Sequence, residues 1–465
     1  MTLSPDKKQL RFVACAVCIM FLAGQTKNAN SAADTSQAAA IDAYLQPYVQ
    51  SNNFSGSVFV RQRGEVIFQK SYGLADREQK TPNTAETRFH IASMSMQFTA
   101  AAVLRLVDQG LITLDTHVND LVPGIEGGER ITIRHLLIEQ SGLSDINELS
   151  DYSDVLNHHQ TPASLVAKIA GRPLLFEPGT KFLHEEHSAY NLLALIIEKK
   201  TGLAFAAALK RLVFDPLALT SIGVDDDSDS AHNMAKGYEP EGVQGIKPAP
   251  AIHWSAKTGN ASVYASTLDE ARWVDALFNG TFLKASTRDP VLDMSQRVGY
   301  GWFKSINKRF NQTAYYMNGR APGFASFVLY LPREQTTVVV FSNIYSSATT
   351  TIGNDIAAIS LNLTFEPFHP HEQRLTDIEL KSSTGTFQFG PDFYQPNAKV
   401  TLVGRSGELA MQWPSGDISP LIPLGRDRFV DRAYWQDVKI ERDPSGLAAN
   451  LIYDRFQGKP VKLNH

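Results

Sequence analysis

Cysteine is nearly absent: the 465 residues contain two, Cys15 and Cys18. Both fall inside one apolar run, Phe12 to Gly24 (FVACAVCIMFLAG), close to the first residue. If that run is removed, the remaining chain has no disulfide, no thiolate metal site and no cysteine nucleophile. A dominant charge is also missing, since 44 basic residues stand against 48 acidic ones, a formal net charge of −4. With no basic surplus and no basic stripe, nucleic acid is excluded as the expected partner. Beyond the first residues no apolar stretch approaches the ~20 residues needed to span a bilayer. The acidic stretch Asp225 to Ser230 (DDDSDS) lacks the closing glutamate of a calcium loop and reads as a solvated loop. No cofactor or metal is expected.

The composition that is present is ordinary for a globular protein: 43% hydrophobic, 20% charged and 10% aromatic. At about 150 residues per domain the length accommodates about three domains. Such a chain buries a large core without staples.

The amino-terminal segment has the layout of a secretory leader. Lys7, Lys8 and Arg11 form a positive region, the apolar run follows, and polar, alanine-rich sequence extends to Ala40. The run is too short for a membrane span and matches a signal peptide cleaved after Gly24 or Ser31. The lipoprotein reading of Cys15 has too little apolar sequence before it. The expected organisation is therefore a leader over 1–31, a linker over 32–40, a mixed domain over 41–365 and a β domain over 375–465. The destination is the periplasm or the exterior.

Within the mixed domain, Ile41 to Asn52 reads as a helix. Ser55 to Ala75 alternates around Arg63-Gly64, which predicts a hairpin. Helices are expected over Gln97 to Gln109, Ile131 to Gln140, Ser164 to Ala170, Tyr190 to Lys200, Asp269 to Leu277 and Ile352 to Asn362. Phe324 to Leu331 and Thr336 to Asn343 read as strands. After Phe365 to Gln373 (FEPFHPHEQ) the chain becomes short strands punctuated by Gly, Pro and Asp, which predicts a small all-β barrel or sandwich.

Several segments in register carry a resemblance. They are Phe89 to Pro123 (FHIASMSMQFTAAAVLRLVDQGLITLDTHVNDLVP), Ile131 to Leu143 (ITIRHLLIEQSGL), Pro178 to Gly202 (PGTKFLHEEHSAYNLLALIIEKKTG), Phe214 to Leu219 (FDPLAL), Val298 to Phe303 (VGYGWF) and Asn318 to Phe324 (NGRAPGF). Together they resemble the serine β-lactamase and penicillin-binding-protein superfamily, closest to class C β-lactamase-like esterases and D-aminopeptidases. The resemblance implies an α/β (α+β) transpeptidase-like domain, with a central antiparallel sheet flanked by helices. The carboxy-terminal strands are similar to the barrel often appended to such hydrolases.

It also implies acyl transfer through serine. In the family, an S-x-x-K serine sits at a helix start with a lysine one turn on. A Y-x-N loop carries a second proton, and a [K/H]-x-G strand completes the oxyanion hole. Ser93 matches the nucleophile, and the backbone N–H groups of Ser93 and Arg320 match the oxyanion donors. The three motifs are otherwise altered. Met96 stands at the lysine position and Met317 at the Lys/His position. Phe182 to Tyr190 (FLHEEHSAY) has no Y-x-N and is one residue longer than the pattern. Counting forward places His184 and Glu186 there; counting back places Glu185 and His187.

A thioether neither gives nor takes a proton, and a serine hydroxyl without a neighbouring base is a poor nucleophile. Acid–base assistance is typically worth about 10²–10⁴-fold. The expected reading is a homologue that keeps Ser93 and the oxyanion donors but is catalytically impaired, binding a peptide-like, amide or ester ligand, or a cell-wall peptide. With Met96 and Met317 facing it, the cleft would be apolar. The alternative is a working hydrolase in which His184, Glu185 or His187 serves as substitute base for an acyl-Ser93 intermediate. A zinc reading of HEEH fails on spacing: its histidines are three apart rather than four, with no third ligand.

Overall fold

The computed structural model describes residues 36–182, 187–227, 232–371 and 374–461. The leader, residues 32–35 of the expected linker, His184, Glu185 and Glu186 lie outside the described residues. Residues 36–50 form the first helix, so residues 36–40 are helical rather than linker. Alanine has the highest helix propensity, and Ala38 to Ala40 extend the turn. The Gln37 amide ties it down by donating to the Ser360 carbonyl at 3.0 Å.

A seven-stranded antiparallel sheet forms the centre of the first domain. Its order is Val298–Gly299, Trp302–Asn307, Gln312–Ala321, Phe324–Leu331, Thr336–Ser342, Gly56–Gln62 and Glu65–Tyr72. The hairpin turns at Arg63 and Gly64, both at positive φ, as a two-residue connection between twisted strands requires. Gly56–Gln62 pairs with Thr336–Ser342, so strands from the two ends of the domain meet in the sheet, while the chain between Tyr72 and Val298 supplies the helices Met96–Asp108 and Thr267–Phe278.

Successive side chains of a strand point to opposite faces. On one face Phe59, Val328, Tyr330, Val339 and Phe341 join the core containing Met96–Asp108 and Thr267–Phe278. On the other, Val58, Val60, Phe327, Leu329 and Val340 pack with Ile41, Leu45, Ile352 and Ile356. With both faces covered, Phe324–Leu331 is buried at every position, which is why it reads as an unbroken apolar run.

The helix expected over Ile131 to Gln140 is shorter, Ile133–Leu137, capped by Thr132. It ends because Ile138 leaves the helical region and Glu139 takes φ 57°. A closed eight-stranded barrel forms the carboxy-terminal region, from Gly385–Gln388 to Phe456–Pro460. The barrel-or-sandwich alternative is thus a barrel. Two of its strands, Ile418–Gly425 and Phe456–Pro460, carry prolines that weaken their strand signal.

Candidate active site

Met96–Asp108 is buried almost all round, because three consecutive alanines and flanking leucines let it run through the core. It ends at Gly110, whose φ of 72° suits a residue just past a helix. At its other end, Ala92–Ser95 forms a single tight turn, and Ala92 is held at φ 51°. A non-glycine residue in that region costs on the order of 1–2 kcal/mol. The turn bears this strain with Ser93 next to it, 5% exposed at the positive end of the helix.

The surrounding backbone fixes the turn. Ile91 N–H donates to the Val263 carbonyl at 3.0 Å, and Val263 N–H donates to Ser95 Oγ at 2.9 Å. Ser326 Oγ donates to the Ile91 carbonyl at 2.7 Å. Across from these lies Gly319. A methyl group there would fall 2.3 Å from Ile91 O and 2.9 Å from Ser93 N, so only glycine allows the strand to approach Ser93. Pairing of this strand with Trp302–Asn307 ends at Tyr316, leaving the edge from Met317 onward without a strand neighbour among the described residues.

Met96 is 1% exposed and Met317 4%, and both lie in the same apolar core. Among the described residues no side chain hydrogen-bonds the Ser93 hydroxyl. His187 opens the helix His187–Thr201, with Nδ1 2.8 Å from Asp145 Oδ2 and 2.9 Å from Asn147 Nδ2. Ser188 Oγ ties the same helix start to the Ser144 carbonyl at 2.7 Å and accepts from Ile146 N–H at 2.8 Å. His187 is thus paired with a carboxylate and has no bond to Ser93.

Three arrangements escaped the sequence reading. Gln97 donates to Glu270 Oε1 at 2.8 Å while accepting from the Trp273 indole at 2.8 Å. Burial pushes the Glu270 carboxyl up to about 8, against the opposing pull of the Gln97 amide. His90 Nε2 lies 2.9 Å from Asp225 Oδ2, and its ring stacks on Trp254 at 3.6 Å. Burial pushes this imidazole down, and Asp225 opposes that shift. Lys257 donates to the Tyr152 hydroxyl and sits 4.9 Å over its ring. Burial raises the phenol, and Asp145 adds to the shift. His90, three residues before Ser93, and Gln97, four after it, lie in a quoted motif, but their partners Asp225 and Glu270, like Tyr152 for Lys257, are about 100 residues or more away in sequence. No group of three metal-ligating side chains occurs among the described residues.

A family model described as Beta-lactamase matches residues 41–362. PbpX of Bacillus subtilis (strain 168), named as a penicillin-binding protein, is 26% identical over 307 residues, covering 65% of this chain and 74% of that protein. Protein flp of Staphylococcus aureus (strain MRSA252) is 26% identical over 322 residues, 66% of this chain. The match spans 63% of flp, just under two thirds of its length. Among solved structures, the D-amino acid amidase of Ochrobactrum anthropi SV3, complexed with D-phenylalanine, superposes with a TM-score of 0.62 at 19% identity. It covers 70% of this chain and 99% of that one.

Proposed function

Because this chain belongs to the Beta-lactamase family, with a penicillin-binding protein among its relatives, we propose that it is an exported serine-hydrolase homologue that binds a peptide-like, amide or ester ligand at Ser93 with little or no turnover. The ligand carbonyl would accept from the backbone N–H groups of Ser93 and Arg320. The open edge beyond Tyr316 would take an extended ligand as an added strand. Attack by Ser93 would require somewhere for its proton to go, and the thioethers of Met96 and Met317 offer nowhere. The carrying observation is that both methionines are buried in the apolar core while the Ser93 hydroxyl has no hydrogen-bond partner among the described residues.

The test is acylation followed by intact-mass spectrometry. Wild type exposed at neutral pH to a fluorophosphonate or to benzylpenicillin should gain no adduct over hours. An adduct forming within minutes in wild type and absent from Ser93→Ala overturns impaired catalysis.

The Asp145–His187 pair favours a second reading, in which chemistry is rerouted rather than lost. A carboxylate that orients a histidine is how a general base is held. On that reading p-nitrophenyl ester hydrolysis depends on Ser93 and falls with His187→Ala, His184→Ala or Glu185→Gln. Export predicts a mature amino terminus after Gly24 or Ser31, which terminal sequencing of the secreted protein reads directly. No helix among the described residues is long and apolar enough to cross a membrane.

A further inference from the structure

The junction between the two domains contains a cavity of about 410 Å³. Asn318, Ser347 and Thr351 contribute from the sheet side; Tyr394, Trp413 and Tyr434 contribute from the barrel. None of the residues lining it carries a formal charge. The neighbouring cavities at the same junction differ sharply: one is walled by Arg309, Asp355, Glu366 and Arg428, another by Arg374 and Glu408. A charge-free wall among charged ones favours a neutral ligand, because none of the lining side chains supplies a counter-ion.

The aromatic rings are exposed but held. Tyr434 is 40% exposed, with the Arg320 guanidinium 4.4 Å from its ring and Trp413 edge-on at 5.3 Å. Tyr394 is 53% exposed, its hydroxyl fixed to Asp454 Oδ2 at 2.8 Å and its ring packed against Phe456. Among the described residues, the side-chain amides of Asn318, Gln395 and Gln436 and the Thr351 hydroxyl make no hydrogen bond. The indole N–H of Trp413, a residue only 8% exposed, also has no partner. Pre-positioned flat apolar faces interleaved with uncommitted neutral donors and acceptors match one class of ligand: a ring with an apolar C–H face and a rim of hydroxyl groups.

We propose that this cavity binds a neutral oligosaccharide. The site is independent of acyl chemistry at Ser93, although one residue belongs to both regions. Arg320 directly follows Gly319, the residue that approaches Ser93 N, while its side chain is clamped between Tyr345 and Tyr434 at 4.2 and 4.4 Å. A sugar stacked on Tyr434 therefore sits on the far face of the strand that borders Ser93.

Calorimetric titration of the intact mature chain with N-acetylchitotetraose, cellotetraose and the anionic tetragalacturonate tests the assignment. Binding of at least one neutral tetrasaccharide and none of the anionic one is expected. Tyr394→Ala, an exposed substitution that spares the fold, should weaken it by about tenfold or more, as should Tyr434→Ala. Ser93→Ala should bind as wild type does. Failure of both neutral sugars at about 10 mM, where Kd would correspond to negligible affinity, overturns the proposal. So does affinity unchanged in both tyrosine variants, equal binding of tetragalacturonate, or loss of binding in Ser93→Ala, which would place the sugar at the serine instead.

Discussion

A methionine at position 96 has nearly the volume of the lysine that the family pattern would put there, and its burial among leucines and phenylalanines means that packing is its contribution. Met96→Leu should therefore change unfolding free energy by less than about 1.5 kcal/mol and leave the reactivity of Ser93 toward a fluorophosphonate unchanged. Denaturant titration and adduct mass check both. Met96→Lys is the opposite case. An ammonium at a site 1% exposed, within the apolar core, should cost about 3 kcal/mol or more, so Met96→Lys alone should lower stability before it supplies any chemistry. Gly319 makes a second residue-scale prediction. Its missing side chain faces backbone atoms, Ile91 O and Ser93 N, which cannot move aside as a flexible side chain would. Gly319→Ala should destabilise by about 1–3 kcal/mol and abolish ligand binding at Ser93, measured as lost protection of Tm by ligand.

Between elements, the contact joining Met96–Asp108 to Thr267–Phe278 runs through a buried acid, and it makes stability depend on pH. The Glu270 carboxyl stands at about 8 in the folded protein against an ordinary 4.5. Between those values the folded state holds a proton that the unfolded state has released, so stability falls as pH rises through that window. Below the lower value both states are protonated and the effect vanishes. Glu270→Gln, which keeps the shape and the bond to Gln97, should flatten the decline; chemical denaturation at pH 5 and at pH 8 gives the slope. The longer helices were legible in sequence because their apolar residues repeat at helical spacing over three turns or more. Ile133–Leu137 was overextended because its end is set by the φ of Glu139, which no periodicity reports. Asp377–Ser383 has a capping box at Thr376 and Glu379 that a motif search would find, yet its exposed face left little pattern. Ser93, Met96, Met317 and Gly319 were singled out by motif spacing, a signal that survives when side chains change. Asp145 beside His187 and Glu270 beside Gln97 were not, since only folding brings them together.

At the scale of the whole molecule, the barrel is attached to the sheet domain by a side chain that looked unexceptional in sequence. Arg432 is completely buried. Its guanidinium donates to Asn53 Oδ1 at 2.8 Å, to the carbonyls of Gly242 and Gly245 at 2.6 and 2.7 Å, and to that of Asn52 at 2.9 Å. Burial lowers it to about 10, and Glu408 pulls in the other direction. An arginine satisfied almost wholly by backbone carbonyls cannot be recognised from residue type or spacing, whereas the barrel itself could be, from the rhythm of its short strands. Nearby, Ser347 N–H donates to the Ala433 carbonyl and Ser346 Oγ to the Arg432 carbonyl, so the same loop is fastened twice to the end of the sheet domain. Arg432→Leu would keep apolar bulk but strand the buried carbonyls that now accept from it, each orphan costing about 1–3 kcal/mol before relaxation. The expected result is a loss of about 3 kcal/mol and a single calorimetric transition that separates into two, as the barrel and sheet domain stop unfolding together. If the transition stays single and Tm moves by less than a degree or two, the domains are held by the apolar contacts of Ile422 and Val430 with the helices around Tyr48 and Ile356. The arginine would then set orientation rather than cohesion.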